Sequence, residues 1–321
     1  MLRTFVACAS ILCALAAPAG AAGIQLLDSE TGLRGAIWYP CAREPERVAL
    51  GNLDVGADFR LMGVKDCPMA GGKLPLVLFS HGRGGWFGQH HDTAEALADA
   101  GFIVAAINHP GDTFSDSSRR DTLSILASRP VDMIRLLDFA LYDWKDRATI
   151  DPARIGFFGF SLGGYTGLVL IGTTPDFERV AGLCKETTGT CAQLHSGEAR
   201  PNPPHDARIR AAVIVDPVPS LFTQTNLAAI HVPFQFWRSQ FGGPGVGDGA
   251  GNARVAGVLP GTPDIHVVPA GHYAFLAPCS PELAAAIPRI CTDTPADFDR
   301  AAFHREFNAN VIRFLREHLG P

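Results

Sequence analysis

The stretch IGFFGFSLGGYTG, residues 155–167, decides the fold. Its first six residues are apolar or glycine, which is typical of a strand buried on both faces of a sheet. The residues after Ser161 continue with the apolar spacing of a helix. Gly159 and Gly163 flank the serine and let strand and helix approach closely. The pattern therefore predicts a sharp strand-to-helix turn that exposes the serine hydroxyl.

Short apolar segments alternate with helical patterns along the rest of the chain. Strands are predicted at 35–39, 76–80, 103–107, 155–160, 211–215, 233–237 and 265–268, and helices at 93–100, 131–144, 162–171 and 303–319. This alternation indicates an α/β fold with a mostly parallel central sheet and helices on both faces. Because no repeat or long linker interrupts it, we expect a single domain over residues 22–321.

Three longer stretches do not follow the alternation, namely 43–73, 176–206 and 242–261. Long segments without regular structure in a compact domain are usually functional or mobile loops. We therefore expect these insertions to form either plain surface loops or the walls or lid of a pocket.

The amino-terminal segment has the pattern of a secretory signal. Arg3 precedes an apolar stretch from Phe5 to Ala16, and small residues follow up to Ala21. The apolar stretch is shorter than the roughly 20 residues that a bilayer span needs. We therefore expect residues 1–21 to be a cleaved signal peptide, and the protein to be periplasmic or extracellular without a membrane span.

Six cysteines follow that segment in three neighbouring pairs: Cys41 and Cys67, Cys184 and Cys191, Cys279 and Cys291. An even number of cysteines in an exported chain favours disulfides, and loops closed by neighbouring cysteines are the simplest of the possible pairings. A zinc site is disfavoured because no C-x-x-C motif with matching histidines occurs. No cysteine lies at a nucleophile position, and we expect disulfide-stapled loops, no metal and no cofactor.

Composition favours a small-molecule substrate over nucleic acid. The chain has 321 residues, 47% of them hydrophobic, and a formal net charge of −5. It has no run of lysine and arginine of the kind that binds phosphate backbones.

A histidine late in the chain completes a candidate catalytic set with Ser161. Residues 267–275, VVPAGHYAF, predict a strand that ends in a turn carrying His272. A serine hydroxyl is a weak nucleophile at neutral pH and needs an adjacent base, which an acid orients, in the chain order serine, acid, histidine. We interpret the earlier His81 as structural and residues 90–92, HHD, as a solvated helix start.

The acid has two candidates. Asp216 ends the strand at 211–215, so its carboxylate should emerge at the carboxyl edge of the sheet, where such sites lie. Asp248, in the glycine-rich segment one strand later, is the alternative. Asp264 precedes the last strand and should lie at its wrong end.

The glycine-rich turn in LVLFSHGRGG, residues 76–85, supplies the remaining part of a candidate site. Attack on an acyl carbon creates an oxyanion, which needs backbone N–H donors. One donor comes from the residue after the nucleophile, Leu162, and the other from this earlier turn, for which we select Arg83.

With these motifs in view, the chain resembles the predicted dienelactone hydrolase group of α/β-hydrolases and is similar to the platelet-activating-factor acetylhydrolases. The likeness is carried by FSHG (79–82), HPGDT (109–113), GFSLGGY (159–165), VDP (215–217) and AGHYAF (270–275), of which HPGDT is the most family-specific. It implies the α/β-hydrolase fold and a Ser-His-Asp triad with Asp216 as its acid. The chain departs from these groups in two ways. Dienelactone hydrolases proper have a cysteine where this chain has Ser161. Many relatives have acidic residues soon after the next strand, where this chain has SQFGG (239–243).

We therefore expect a secreted serine carboxylic-ester hydrolase that works through an acyl-enzyme. A lactonase or peptidase on the same site is one alternative, because the same machinery serves several acyl groups. A non-catalytic secreted binding protein on a hydrolase fold is the other. Such a protein should lack the serine, the histidine or an oxyanion glycine, and this chain lacks none of them.

Overall fold

A computed structural model describes residues 22–28, 32–53, 61–69, 71–196 and 200–320. The signal peptide expected at 1–21 lies outside the described residues. The described strands are β1 (Ala22–Leu27), β2 (Gly35–Pro40), β3 (Glu46–Arg47), β4 (Met62–Lys65), β5 (Leu74–Ser80), β6 (Ile103–Ile107), β7 (Ile150–Phe160), β8 (Ile209–Val215), β9 (Phe234–Ser239) and β10 (Asp264–Val268).

These strands form one sheet in the order β10-β9-β8-β7-β5-β6-β2-β1-β4-β3. The six strands from β10 to β6 are parallel, whereas β2 pairs antiparallel with both β6 and β1. The mostly parallel sheet predicted from the sequence is thereby confirmed. β7, which delivers Ser161, lies near the middle of the parallel part.

The described helices are α1 (His91–Asp99), α2 (Leu123–Asp138), α3 (Leu162–Leu170), α4 (Phe177–Leu183), α5 (Gly189–His195), α6 (Gln224–Leu227), α7 (Ala250–Ala256), α8 (Pro281–Ala286), α9 (Pro288–Cys291) and α10 (Arg300–Leu319). Short 3-10 turns occur at Gly51–Leu53, Arg147–Thr149 and His272–Phe275, and a π-helical turn, Phe139–Asp143, continues α2. Among these helices we find none with the length and apolar character needed to cross a membrane.

Two hydrophobic cores cover the two faces of the sheet. On β5, Leu76 and Leu78 join the core that contains buried residues of α2 and α3, whereas Val77 and Phe79 join the core that contains those of α1 and α10. Successive side chains of a strand point to opposite faces, so each central strand feeds both cores. This is why the strands read as uninterrupted apolar segments in the sequence.

The helix predicted at 131–144 begins at Leu123, on the far side of Pro130. Proline has no N–H, so Pro130 cannot donate to the carbonyl of Leu126 one turn earlier. The hydroxyl of Tyr165 on α3 donates to this carbonyl instead, at 3.1 Å. The helix therefore continues through the proline and is fixed against α3.

The three stretches outside the alternation are not structureless in their described parts. The first, 43–73, supplies β3 and β4, which extend the sheet beyond β1. The second, 176–206, folds into α4 and α5, and the third, 242–261, contains α7.

Three disulfides join the neighbouring cysteines: Cys41–Cys67, Cys184–Cys191 and Cys279–Cys291. The predicted pairing of neighbouring cysteines is confirmed. Each bridge closes a short loop, and in the chain-entropy model such a bridge stabilises the fold by about 2 to 4 kcal/mol. The last of them encloses α8 and α9.

Candidate active site

Ser161 lies on a strained turn between β7 and α3. Its φ of 57° is in the left-handed region, which side-chain-bearing residues rarely adopt. A Cβ on Gly159 would collide with the carbonyl oxygen of Gly163, and a Cβ on Gly163 with that of Ser80. Only glycine fits at these two positions, so the sequence motif encodes the close approach of strand and helix that holds the serine in this conformation.

His272 and Asp216 are brought together although 56 positions separate them. The His272 Nδ1 atom lies 2.6 Å from Asp216 Oδ2, and the two side chains are 2% and 0% exposed. A carboxylate only accepts hydrogen bonds, so Nδ1–H donates and Nε2 is left as the ring's free base nitrogen. Asp248, in contrast, is exposed, and its carboxylate accepts from the Ala250 N–H at the start of α7.

The Asp216 carboxylate has three further hydrogen bonds. Oδ1 accepts from the Ser239 N–H at 3.1 Å and from Asn252 Nδ2 at 2.9 Å, and Oδ2 accepts from Ser239 Oγ at 2.6 Å. Both donor residues are fully buried. Ser239 and Asn252 therefore hold the Asp216 carboxylate in its orientation toward His272.

Sequence reasoning missed Ser239 and Asn252. Ser239 is the last residue of β9. It belongs to the segment 239–243, where many of the relatives have acidic residues, and this was the one sequence signal that could have pointed to it. Asn252 lies on α7, inside a segment interpreted as an insertion, and nothing in its local pattern distinguishes it.

The turn that carries His272 is packed closely on two sides. The His272 N–H donates to the Gly242 carbonyl at 2.6 Å, and a Cβ on Gly243 would lie 2.7 Å from the Cβ of His272. On the other side the imidazole stacks on Phe160, with ring centroids 4.5 Å apart. The ring therefore has little freedom to leave Asp216.

The predicted oxyanion donors are free to bind a ligand. In the turn at 82–85, the N–H groups of Gly82, Gly84 and Gly85 all donate to protein oxygens. The N–H groups of Arg83 and Leu162 donate to no atom of the described residues. The first N–H groups of a helix lack partners within the helix, which explains the free donor at Leu162.

A cavity of about 600 Å³ joins these groups, since Ser161, Leu162, Arg83 and His272 all line it. Its apolar lining includes Ile125, Leu126, Phe177, Val180, Val218 and Leu221, and its charged lining includes Arg83, Asp112, Arg120, Asp121 and Arg289. The insertions at 176–206 and 242–261 contribute to the wall, whereas the described part of 43–73 does not. The strands in the described part of that first insertion lie at the far edge of the sheet.

Comparison with known proteins agrees with this architecture. A family model described as the alpha/beta hydrolase fold matches residues 75–185. Among solved structures, a ferulic acid esterase from Streptomyces cinnamoneus superposes with a TM-score of 0.59 at 17% identity, over 95% of this chain and 92% of that one. The chain has the α/β-hydrolase fold. A search of curated proteins gave no match.

A second cavity, of about 830 Å³, lies at the amino ends of the parallel strands. It is lined by the starts of β9 and β10 and by the end of α10. Its lining, which belongs wholly to the described residues, contains no serine or cysteine. Ligands of such sheets bind at the carboxyl ends of the strands, so the cavity at Ser161 is the candidate site.

A second Ser-His-Asp arrangement lies buried beneath the oxyanion turn. Ser80 Oγ is 2.9 Å from His109 Nε2, and His109 Nδ1 is 3.0 Å from Asp132 Oδ2. Burial, and next to it the Arg129 charge, holds the pKa of His109 well below its usual value. Burial raises the pKa of Asp132 to about 6. We call Ser80, His109 and Asp132 the buried array.

His81 adjoins this array. Its Nε2 accepts from the His109 N–H at 3.2 Å, so its Nδ1 carries the proton and donates to the Gly82 carbonyl at 2.7 Å. Burial lowers the pKa of His81 well below its usual value, and the ring is neutral. Its surroundings are those of a structural residue.

The segment at 90–92 is not the solvated helix start that the sequence suggested. His90 is 3% exposed, and its ring lies edge-on against Phe158 and Phe160. Burial lowers its pKa to about 3. Asp92 accepts from His304 Nδ1 at 2.6 Å, and His304 Nε2 donates to the Ala274 carbonyl at 2.9 Å. These residues thus pack the far side of the His272 turn.

One cluster of side chains has metal-like spacing. Cys184, Glu186 and Cys191 offer ligand atoms close together. The two sulfur atoms are bonded to each other, and a disulfide sulfur does not bind a metal as a thiolate does.

Proposed function

We propose that this protein is a serine hydrolase of carboxylic esters. The observation that carries the proposal is the 2.6 Å contact between Asp216 and His272, which lines the same cavity as Ser161. A serine on a strained turn, a buried carboxylate–histidine pair and two free N–H donors are the parts that acyl transfer requires.

In the first half of the proposed reaction, Ser161 Oγ attacks the ester carbonyl carbon while His272 Nε2 takes the hydroxyl proton. The carbonyl oxygen becomes an oxyanion and accepts from the N–H groups of Leu162 and Arg83. Asp216 stabilises the imidazolium form of His272 without taking its proton. His272 then protonates the leaving alkoxide, and the alcohol departs from an acyl-enzyme.

In the second half, water replaces the alcohol. His272 removes a proton from a water molecule, and the oxygen attacks the acyl carbon of the Ser161 ester. The same two N–H groups hold the second oxyanion. Collapse returns the proton from His272 to Ser161 Oγ and releases the carboxylic acid.

The cavity indicates what kind of ester fits. Its volume of about 600 Å³ lies within the range of small-molecule sites. Its lining includes several aliphatic and aromatic side chains, so we propose an ester with an apolar acyl or alcohol group. Because the nucleophile is Ser161 and not a cysteine, we propose that the likeness to the dienelactone hydrolase and acetylhydrolase groups extends to ester hydrolysis and not to dienelactone opening.

Three disulfides in the described chain suit an oxidising compartment. Together with the signal pattern at 1–21, they support the proposal that a single domain, residues 22–321, is exported to the periplasm or beyond the cell.

Hydrolysis of nitrophenyl esters by the purified protein tests the proposal. We expect activity on a series from acetate to octanoate, and a stoichiometric mass increase on Ser161 after treatment with an alkyl fluorophosphonate. Ser161→Ala should lower kcat by about a millionfold, as loss of the nucleophile does in serine hydrolases. Ser196→Ala, on an exposed serine, is the matched control. An inactive wild-type protein, or a Ser161→Ala variant that keeps more than a trace of activity, excludes the mechanism.

A further inference from the structure

The HPGDT motif at 109–113 has no part in the mechanism above, yet the side chains of His109 and Asp112 are buried behind the turn at 82–85. His109 and Asp112 are both 0% exposed. Asp112 forms an ion pair with Arg129 of α2, which is also 0% exposed, through contacts of 3.2 Å from Nε and 2.9 Å from Nη2 to Oδ2. Arginine side chains are rarely buried so completely, which indicates a specific role for this ion pair.

The ion pair holds the backbone on either side of Arg83. Arg129 donates to the carbonyl of His81 at 2.8 Å and to that of Gly82 at 3.2 Å. The other oxygen of Asp112 accepts from the Gly84 N–H at 2.9 Å. Both partners of the pair are thus bonded to the turn itself.

The carbonyl of Gly82 and the N–H of Arg83 belong to one peptide group. That peptide is trans, so its C=O and N–H point in opposite directions in one plane. The Gly82 carbonyl accepts from Arg129 Nη2, from His81 Nδ1 at 2.7 Å and from the Gly85 N–H at 3.1 Å. These donors fix the direction in which the Arg83 N–H points, away from Arg129.

The same contacts affect the strength of the N–H as a donor. Hydrogen bonds to a carbonyl polarise the peptide and strengthen the bond made by its own N–H. A donor with a full positive charge in a buried site has the largest effect of this kind.

We propose that Arg129 and Asp112 are positioning residues of the oxyanion hole, which orient and polarise the Gly82–Arg83 peptide. The HPGDT motif supplies Asp112 to this pair and, through the His109 N–H, sets the tautomer of His81 that donates to the same carbonyl. The inference rests on the proposed ester hydrolysis, because an oxyanion has to form for the hole to act.

A variant that removes both charges tests the inference without leaving either Asp112 or Arg129 as a buried charge that has lost its partner. In Asp112→Asn/Arg129→Met the volumes are nearly kept, so the fold should survive. We expect kcat to fall by about 10- to 100-fold, part of what the loss of a whole oxyanion donor costs, while KM changes less than about threefold. The hydrolysis of a nitrophenyl ester gives both constants.

An alkyl trifluoromethyl ketone provides a readout that a merely structural role would not move. Ser161 Oγ adds to its carbonyl carbon, the serine proton passes to His272, and the ketone oxygen becomes an oxyanion in the hole. Its Ki should rise in the double variant by the same factor by which kcat falls. Arg129→Lys, which keeps the charge but not the fork geometry, should lie between the wild type and the double variant in both readouts. If the double variant does not give a native near-UV spectrum, Arg129→Lys alone decides the question, with an expected fall of about tenfold in kcat and an equal rise in Ki.

Arg208→Met is the matched control, because Arg208 also forms an ion pair, with Asp206 and Asp138. Arg208 directly precedes β8, so it lies at the amino ends of the parallel strands, opposite to the end that carries Ser161. A folded variant at positions 112 and 129 that keeps kcat within about threefold overturns the inference, as does a fall in kcat without a matching rise in Ki. A wild-type protein without esterase activity overturns the proposed function first and this inference with it, so the two failures are distinguishable.

Discussion

The molecule contains two arrangements of serine, histidine and aspartate, each with a histidine–aspartate hydrogen bond. In one, His272 bonds to Asp216, and Ser161 lines the same cavity on a turn with φ of 57°. In the other, the buried array, the serine ends β5 and is 0% exposed. The residue types are the same, and their surroundings differ.

Access and partners separate the two. Ser80 is already bonded to His109 and lies 3.5 Å from Arg129 Nη1, so its hydroxyl is part of a closed network. Ser161 lines a cavity together with His272 and with the residues of the two free N–H donors, Leu162 and Arg83. A serine–histidine–aspartate set thus becomes a candidate catalytic site only where a substrate carbonyl can reach both the serine and the oxyanion donors. Where it cannot, the same set acts as a structural link.

Replacing the aspartate of each arrangement should give the largest difference in kcat between the two. Asp216→Asn leaves a neutral amide beside His272, which cannot stabilise the imidazolium form, and kcat should fall by about 10⁴-fold. Asp132→Asn, the matched change in the buried array, should lower kcat by less than about tenfold, since His109 transfers no proton. Ester hydrolysis measured at saturating substrate gives both values. Equal losses of kcat in the two variants would contradict the proposal that Ser161, His272 and Asp216, and not the buried array, carry out catalysis.

The donors to Asp216 should have the next largest effect. Ser239→Ala removes one hydrogen bond to the carboxylate and Asn252→Ala another, each worth about 1.5 to 3 kcal/mol for a charged acceptor. We expect kcat to fall by roughly 10- to 100-fold in each. Asn310→Ala, on the outer helix α10, serves as the control and should keep full activity. Wild-type kcat in Ser239→Ala and Asn252→Ala would show that His272 is oriented without them.

Ser80→Ala should affect stability more than activity. It leaves the buried His109 Nε2 without its partner, which should lower the free energy of unfolding by about 1 to 3 kcal/mol. Urea unfolding gives this value, with Ser196→Ala as an exposed control. A loss of activity comparable to that of Ser161→Ala would contradict a structural role for the buried array.

Lowering the pH should reduce the free energy of unfolding by a smaller amount, through the buried array and the adjoining His81. Because the folded-state pKa values of His81 and His109 are depressed, the unfolded chain binds protons below about pH 6.5 that the folded chain does not. Stability is therefore lost as the pH falls, by about 0.7 kcal/mol per histidine between pH 7 and 6. Asp132, whose pKa is raised to about 6, takes up a proton in the folded state below that pH and flattens the loss.

Unfolding free energies measured from pH 7 to 5 check this expectation. His109→Gln should reduce the slope between pH 7 and 6, whereas His231→Gln, on an exposed ring, should not. A flat profile in the wild-type protein would mean that these buried rings accept protons as readily as those of the unfolded chain.

Much of the fold could be predicted because its signals are local. The predicted central strands are all present, since a buried parallel strand is apolar along its whole length. The turn at Ser161 could be predicted because its glycines are required by steric contacts within a few residues. β1 and the short β3 and β4 were not predicted, because two to six residues at the edge of a sheet contain little periodicity.

The partners of the site could not be predicted in the same way. Ser239 and Asn252 are ordinary polar residues until the fold places them beside Asp216. Arg129 precedes Pro130, and nothing in its local pattern indicates that it lies buried against Asp112, 17 positions earlier. Such contacts join distant segments, and no local pattern encodes them.

The disulfide between Cys279 and Cys291 has a consequence for how the cavity holds a ligand. It closes the loop that carries α9, and Arg289 on this helix lines the cavity near Tyr273 and His272. A rim held by a covalent bond has fewer conformations to lose when a ligand binds, so less binding energy is spent on ordering it. Reduction would set the rim free while Ser161, His272 and Asp216 stay in place, because they lie outside the loop. In the proposed reaction, affinity for the ester and the rate of bond cleavage would therefore be under separate physical control.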